Sequence, residues 1–242
     1  MAGDCQNARR QKTSGALFYL RREEKMNQEK FAEIKDRIIY VLESVEAEQI
    51  NARPHEEFLD MMKTFRVYKY DGENDFNITW ADLEKWGVGL DVIAEAAKLN
   101  TSVLTPPMIY QVAATSSGIR QIEIGDSIDA ALENMANINE VKYPMYMLTN
   151  PAIYYGAGSI LNEPLMKRIA DLWKEDILLL PSSVHEFLMV PFSRKRMELE
   201  DWQDTVSTMN SMEDMKGSVL SNSVYLYDWV HKAIVIGYSP DK

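Results

Sequence analysis

The chain has 242 residues, 46% of them hydrophobic and 26% charged, values that allow a substantial core and exclude a chain disordered throughout. A net charge of −11 sets most faces against a phosphate backbone, so nucleic acid is not an expected partner. The longest apolar runs, Ala16–Leu20 and Ile38–Leu42, reach five residues where a bilayer crossing takes about 20, and the single cysteine, Cys5, excludes an internal disulfide and a cysteine-built zinc site, which suits a reducing, cytoplasmic home.

Residues 1–25 hold Arg9, Arg10, Lys12, Arg21, Arg22 and Lys25 against Asp4, Glu23 and Glu24, which leaves −14 for the rest of the chain. This stretch reads as a disordered basic leader over 1–26, with Met26 rivalling Met1 as the natural start. Residues 27–126 then read as a helix-rich region with one short strand. Phe31, Ile34, Ile38, Val41 and Leu42 recur at three- and four-residue spacing and predict a helix over Asn27–Glu46. A short helix is expected over Glu56–Lys63, and the alternation in Phe65–Tyr70 predicts a strand closed by Asp71-Gly72. Thr79 as N-cap, Asp82 three residues on and Gly87 as the stop frame a further helix. Leu90–Leu99 predicts another, ended by Asn100-Thr101. Pro106-Pro107 breaks the chain, a helical turn is expected over Met108–Ala114, and residues 116–126 read as a loop.

Residues 127–242 read as an α+β domain. It opens with a helix over Ser127–Ala136 and a strand over Met145–Leu148, followed by a small-residue turn over Thr149–Ser159. Asn162 and Pro164 then open a helix that runs to Trp173. Strands over Ile177–Leu180 and Val184–Val190 flank a Pro181-Ser182-Ser183 turn. A helix over Glu198–Ser211 and a hairpin of Ser223–Tyr227 with Lys232–Ile236 complete a β-α-β-β-α-β-β half. Short connections make neighbouring strands antiparallel, so the expected class is α+β: an N-terminal helical region followed by a mainly antiparallel sheet.

The segments ITWADLEKWGVGLDVIAEAAKLNTSVLTPP (Ile78–Pro107), MYMLTN (Met145–Asn150), YGAGSIL (Tyr155–Leu161), ILLLPSSVHEFLMVP (Ile177–Pro191) and LSNSVYLYD (Leu220–Asp228) follow in one order. Together they resemble a bacterial domain-of-unknown-function family, frequent in anaerobic gut bacteria, with an L-P-S-S-x-H-E signature. The similarity covers about residues 58–236. It implies a cytosolic α+β protein with no assigned activity and no accepted catalytic residues.

The chemistry-bearing candidates are few. On a continuous strand Ser183 and His185 would share one face and Glu186 the other. A hydroxyl activated by His185 is thinkable there, but no acidic orienter or glycine-rich oxyanion loop accompanies it. His55, His185 and His231 form no H-E-x-x-H array, so no metal is expected. The turn Tyr155, Gly156, Gly158, Ser159 lies between a strand and a helix, as a phosphate cradle would. It lacks a phosphate-loop lysine, so no cofactor is expected, and its small residues also serve close packing. The run Arg194-Lys195-Arg196 reads as a solvated basic loop first and a phosphate contact second. The reading that results is a non-catalytic cytosolic binding or regulatory module with a protein or small-molecule ligand and no membrane contact. The alternative is a hydrolase-like enzyme with His185 as general base and Ser183 or an activated water as nucleophile.

Overall fold

The computed structural model describes residues 30–69, 75–115, 118–136, 141–212 and 215–240. Among the described residues eleven strands run in chain order: β1 Ile38–Ser44, β2 His55–Phe58, β3 Met61–Val67, β4 Phe76–Asn77, β5 Met108–Thr115, β6 Gly118–Glu123, β7 Tyr146–Thr149, β8 Ile177–Ser183, β9 Glu186–Pro191, β10 Val224–Asp228 and β11 Ala233–Tyr238. Among them lie α1 Trp80–Trp86, α2 Leu90–Leu104, α3 Ile128–Ala136, α4 Glu163–Trp173 and α5 Leu199–Asn210. A seven-stranded sheet has the order β11-β10-β8-β9-β7-β5-β6, and a four-stranded sheet pairs β3 with β1, β2 and β4. Every neighbouring pair is antiparallel.

Alternation along the strands divides the large sheet into two apolar faces. Leu148, Ile177, Leu179, Phe187, Met189 and Tyr225 meet α3 and α4, while Leu178, Leu180, Val190 and Val224 meet α5 through Val206. The small sheet has its own core, in which Ile38, Phe65 and Val67 pack on Leu83 and Trp86 of α1 and on Ile93 and Ala97 of α2. Leu42 and Met61 continue from that sheet into the main core. The fold is therefore α+β, and the β-α-β-β-α-β-β order of its second half is observed as β7-α4-β8-β9-α5-β10-β11. Among the described residues, no helix is long and apolar enough to cross a membrane.

The first half departs from the expected helical region with a single strand. Six strands lie between residues 38 and 123, and β5 and β6 belong to the large sheet, so the sheets do not divide at residue 126. Helix holds over residues 30–34, but Ile38–Ser44 is strand. Ile38, Ile39, Val41 and Leu42 are all buried, and a strand covered on both faces loses its period of two and mimics a helical run. The segment expected as a helix over Glu56–Lys63 is the β2–β3 hairpin, turned at Leu59 in the left-handed region (φ 58°). Met108–Ala114 is also strand, pairing with β6 and β7. Helix α2 passes Asn100 and ends at Leu104, because the Asn100 amide is spent on the carbonyls of Lys35 and Ile38. The leader 1–26 lies outside the described residues.

Local signals that carry their own hydrogen bonds hold. Thr79 and Asp82 form a reciprocal capping box and Gly87 closes α1 at φ 68°. The Asn162 side chain accepts the N–H of Leu165 at the start of α4. The β8–β9 turn, however, is not Pro181-Ser182-Ser183. Those residues stay in β8, whose register shifts by a bulge between Pro181 and Ser183, a position that tolerates a residue without an N–H. The turn is Val184-His185.

Candidate functional site

The ligand candidates at 155–159 and the catalytic candidates at 183–186 meet in space. Thr149 ends β7, and the Asn150 side chain brackets the turn after it. Its Oδ1 accepts the Tyr154 N–H at 3.3 Å and its Nδ2 donates to the Tyr154 carbonyl at 2.9 Å. This bracket holds Ile153 (φ 48°) and Tyr155 (φ 50°) in the left-handed region, which costs free energy for a β-branched or aromatic residue and persists only where the surroundings over-determine it. The Tyr155 N–H then donates to Nδ1 of His185 at 3.1 Å. The His185 ring stacks on Tyr154 (5.7 Å, 23°) and meets Tyr155 edge-on (5.7 Å, 74°). The His185 carbonyl accepts the Thr149 hydroxyl at 2.8 Å. A β-carbon on Gly156 would lie 2.6 Å from that carbonyl oxygen and 2.8 Å from the Asn150 nitrogen, so the two turns approach this closely only because residue 156 is glycine.

His185 sits in a turn, so the expected alternation of Ser183, His185 and Glu186 along one strand does not apply. Ser183 is buried, and its Oγ accepts the backbone N–H of His185 at 3.0 Å. The His185 ring spends its Nδ1 acceptor on Tyr155, so a neutral ring carries its proton on Nε2. Glu186 pairs with Ser183 across the hairpin end. The described contacts thus tie these residues through backbone groups and link neither ring to hydroxyl nor ring to carboxylate. Gly156, Gly158 and Ser159 belong to a 3-10 turn over Gly156–Leu161, and the cavity beside it has a volume of about 10 Å³. That is room for a single water, not a phosphate group.

The other side of Tyr155 is roomier. A cleft of about 350 Å³ is lined in part by Glu43, Glu46, Glu48, Arg53, Tyr155 and Val184. Alternation places Glu43 of β1 with Thr64 and Arg66 of β3 on one face of the small sheet, and all three are buried. Glu43 accepts from Arg53 through Oε1 at 2.6 Å and from the Thr64 hydroxyl through Oε2 at 2.5 Å. Arg53 also donates to the Glu48 carbonyl at 2.8 Å. The Arg66 guanidinium lies 4.3 Å from the centre of the Tyr155 ring and donates to Asn77 Oδ1 at 2.7 Å. Its Nε is buried with no partner among the described residues. Burial raises the Tyr155 phenol above its ordinary pKa, with the Arg66 charge opposing, so the hydroxyl is kept protonated as a donor.

Sequence reasoning found Tyr155, Gly156, Ser183 and His185 but missed Glu43, Arg53, Thr64 and Arg66. The usable signal was a charge inside each of two segments, VLES and TFRV, and it becomes readable only once VLES is taken as a strand paired with the one that carries Arg66. No group of three His, Cys, Asp or Glu among the described residues is placed to hold a metal ion.

A family model described as a family of unknown function (DUF5688) matches residues 16–229. The match begins well upstream of residue 58, the expected start of the resemblance, and of Ile78, where the first of its motifs lies. No curated protein and no solved structure matches the chain.

Proposed function

The chain belongs to this family of unknown function, a kinship that supplies no activity, so from the cleft itself we propose that the protein is a non-catalytic binding or regulatory module of the cytoplasm. The ligand enters the cleft beside Tyr155 and is a small molecule or protein side chain bearing a positive charge. The observation that carries this reading is the over-determined Tyr155: a strained backbone is held by His185, Asn150 and Arg66 so that the ring stands fixed as one wall of the cleft. Glu43 and Arg53 neutralise each other, so among the lining charges Glu46 and Glu48 set the sign of the field that a ligand meets, opposed by the single Arg66 charge behind the Tyr155 ring. The hydrolase-like alternative has less support, because the Ser183 hydroxyl is engaged by a backbone N–H rather than by the imidazole.

Titration calorimetry with arginine amide and with acetate tests the proposal. Saturable binding of arginine amide alone, weakened about tenfold or more by Tyr155→Ala, is expected from the loss of an aromatic wall. Equal binding by the Tyr155→Ala protein would overturn the cleft as the site. Ester hydrolysis that disappears in a folded His185→Ala protein would instead establish the enzyme reading.

A further inference from the structure

The opposite ends of β7 and β9 carry a second, different feature. Residues just before β7 and just after β9 meet there, Tyr143 and Arg196 being 53 positions apart in the chain. Pro144 is buried and anchors the first segment, while Lys142, Tyr143 and Arg196 are exposed. The Arg196 guanidinium carbon lies 3.2 Å from the centre of the Tyr143 ring, and the Lys142 ammonium lies 5.0 Å from the same centre. Several cations of this acidic chain do have carboxylate partners: adjacent Lys195 pairs with Glu198, Arg53 with Glu43 and Arg168 with Asp129. Among the described residues, neither Lys142 nor Arg196 meets a carboxylate within ion-pair distance.

Two like charges gathered on one ring repel each other, and the ring quadrupole offsets that only in part. A guanidinium stacked by its face keeps its N–H groups in its own plane, so stacking on Tyr143 fixes Arg196 while leaving the fork free to donate. Lys142 adds an exposed ammonium, and Tyr143 adds a hydroxyl. The Lys142 hydrogen bond, with the charges of Lys142 and Arg196 and against desolvation, lowers the Tyr143 pKa below the ordinary tyrosine value, as two cations beside one hydroxyl require.

We propose that Lys142, Tyr143 and Arg196 form a binding site for a phosphate monoester dianion. The two cations match its two charges, and the fork, ammonium and phenol together supply donors to its oxygens. A nucleic-acid strand is disfavoured as the source, because the −11 body repels a polymer of phosphates while a single group feels mainly its local partners. Two sources share the favoured chemistry: free phosphate compounds and a phosphorylated side chain of another protein.

The test follows the Arg196 Nε resonance by ¹⁵N NMR during titration with inorganic phosphate, with a phosphoserine peptide, and with the same peptide unphosphorylated, all at constant ionic strength. Saturation by inorganic phosphate is expected, with affinity about tenfold or more weaker in Lys142→Gln. In Arg196→Gln the response is followed at the Tyr143 ring instead and shows the same loss. Saturation by the phosphopeptide alone would support the site and assign its source to a protein. A response to the unphosphorylated peptide of equal size, failure of all three to saturate, or undiminished affinity in both variants would overturn it. All three side chains are on the surface, so the variants are expected to fold.

Discussion

Two polar joints tie the small sheet to the large one, and they differ in what they leave unspent. At the tip of the β2–β3 hairpin, Asp60 accepts the Tyr225 hydroxyl at 2.5 Å through Oδ1 and the Ser221 and Ser223 hydroxyls at 2.8 and 2.7 Å through Oδ2. Both carboxylate oxygens are used, and each donor is a hydroxyl on or beside β10. At the second joint, Tyr155 and Arg66 meet across the sheets with strained backbone, a buried Nε lacking a partner among the described residues, and an open cleft alongside. A closed network of charge-assisted hydrogen bonds is what architecture alone requires. Retained strain and an incomplete network beside a cavity are what a binding site requires.

Three substitutions break or sharpen this contrast. The largest effect is expected from Asp60→Ala, which leaves three hydroxyls without their acceptor. Urea denaturation should show a loss of about 3 kcal/mol, and a loss below about 1 kcal/mol would mean that the first joint is not architectural. Gly156→Ala comes next. Its β-carbon meets the His185 carbonyl and the Asn150 nitrogen, both backbone atoms, and separating the two turns should cost about 2 kcal/mol and weaken arginine amide binding as well. Tyr225→Phe should cost least at neutral pH, about 1 kcal/mol for one hydroxyl, and it also changes the alkaline limb of stability. Burial, and then the hydrogen bond to Asp60, raise the Tyr225 pKa. The folded state therefore holds a proton that the unfolded chain releases above about pH 10, and stability falls as pH rises through that region. The urea midpoint of the native protein should drop above pH 10, and the drop should be shallower in Tyr225→Phe. Identical slopes would detach Tyr225 from the alkaline transition.

The legible parts of the chain were those whose signal is local. Thr79, Asp82 and Gly87 cap α1 within one stretch of nine residues, and Asn162 with Pro164 opens α4 in the same way. The strands and helices of the second half were readable because half-buried elements keep their periodicity. At Ile38–Ser44 burial on both faces erased it, and at Met108–Thr115 the proline pair just upstream suggested a helix start where a strand begins. At the site, glycines and a histidine next to a proline–serine run were visible as residue types. That the 155–159 turn and the 184–185 turn touch, and that Arg66 lies under Tyr155, depends on contacts across 30 and nearly 90 positions.

By itself, then, the sequence determined the α+β class, the capped helices, the element order after residue 144 and the residue types available for chemistry. These follow from hydrogen bonds and hydrophobic periods that close within a turn or two of chain. The tertiary structure alone decided which strands pair, that His185 sits in a turn with its Nδ1 taken, that Glu43, Arg53 and Tyr155 border the cleft, and that Arg66 lies against the Tyr155 ring. Such contacts are selected by burial summed over both sheets, a quantity that no local window of residues contains.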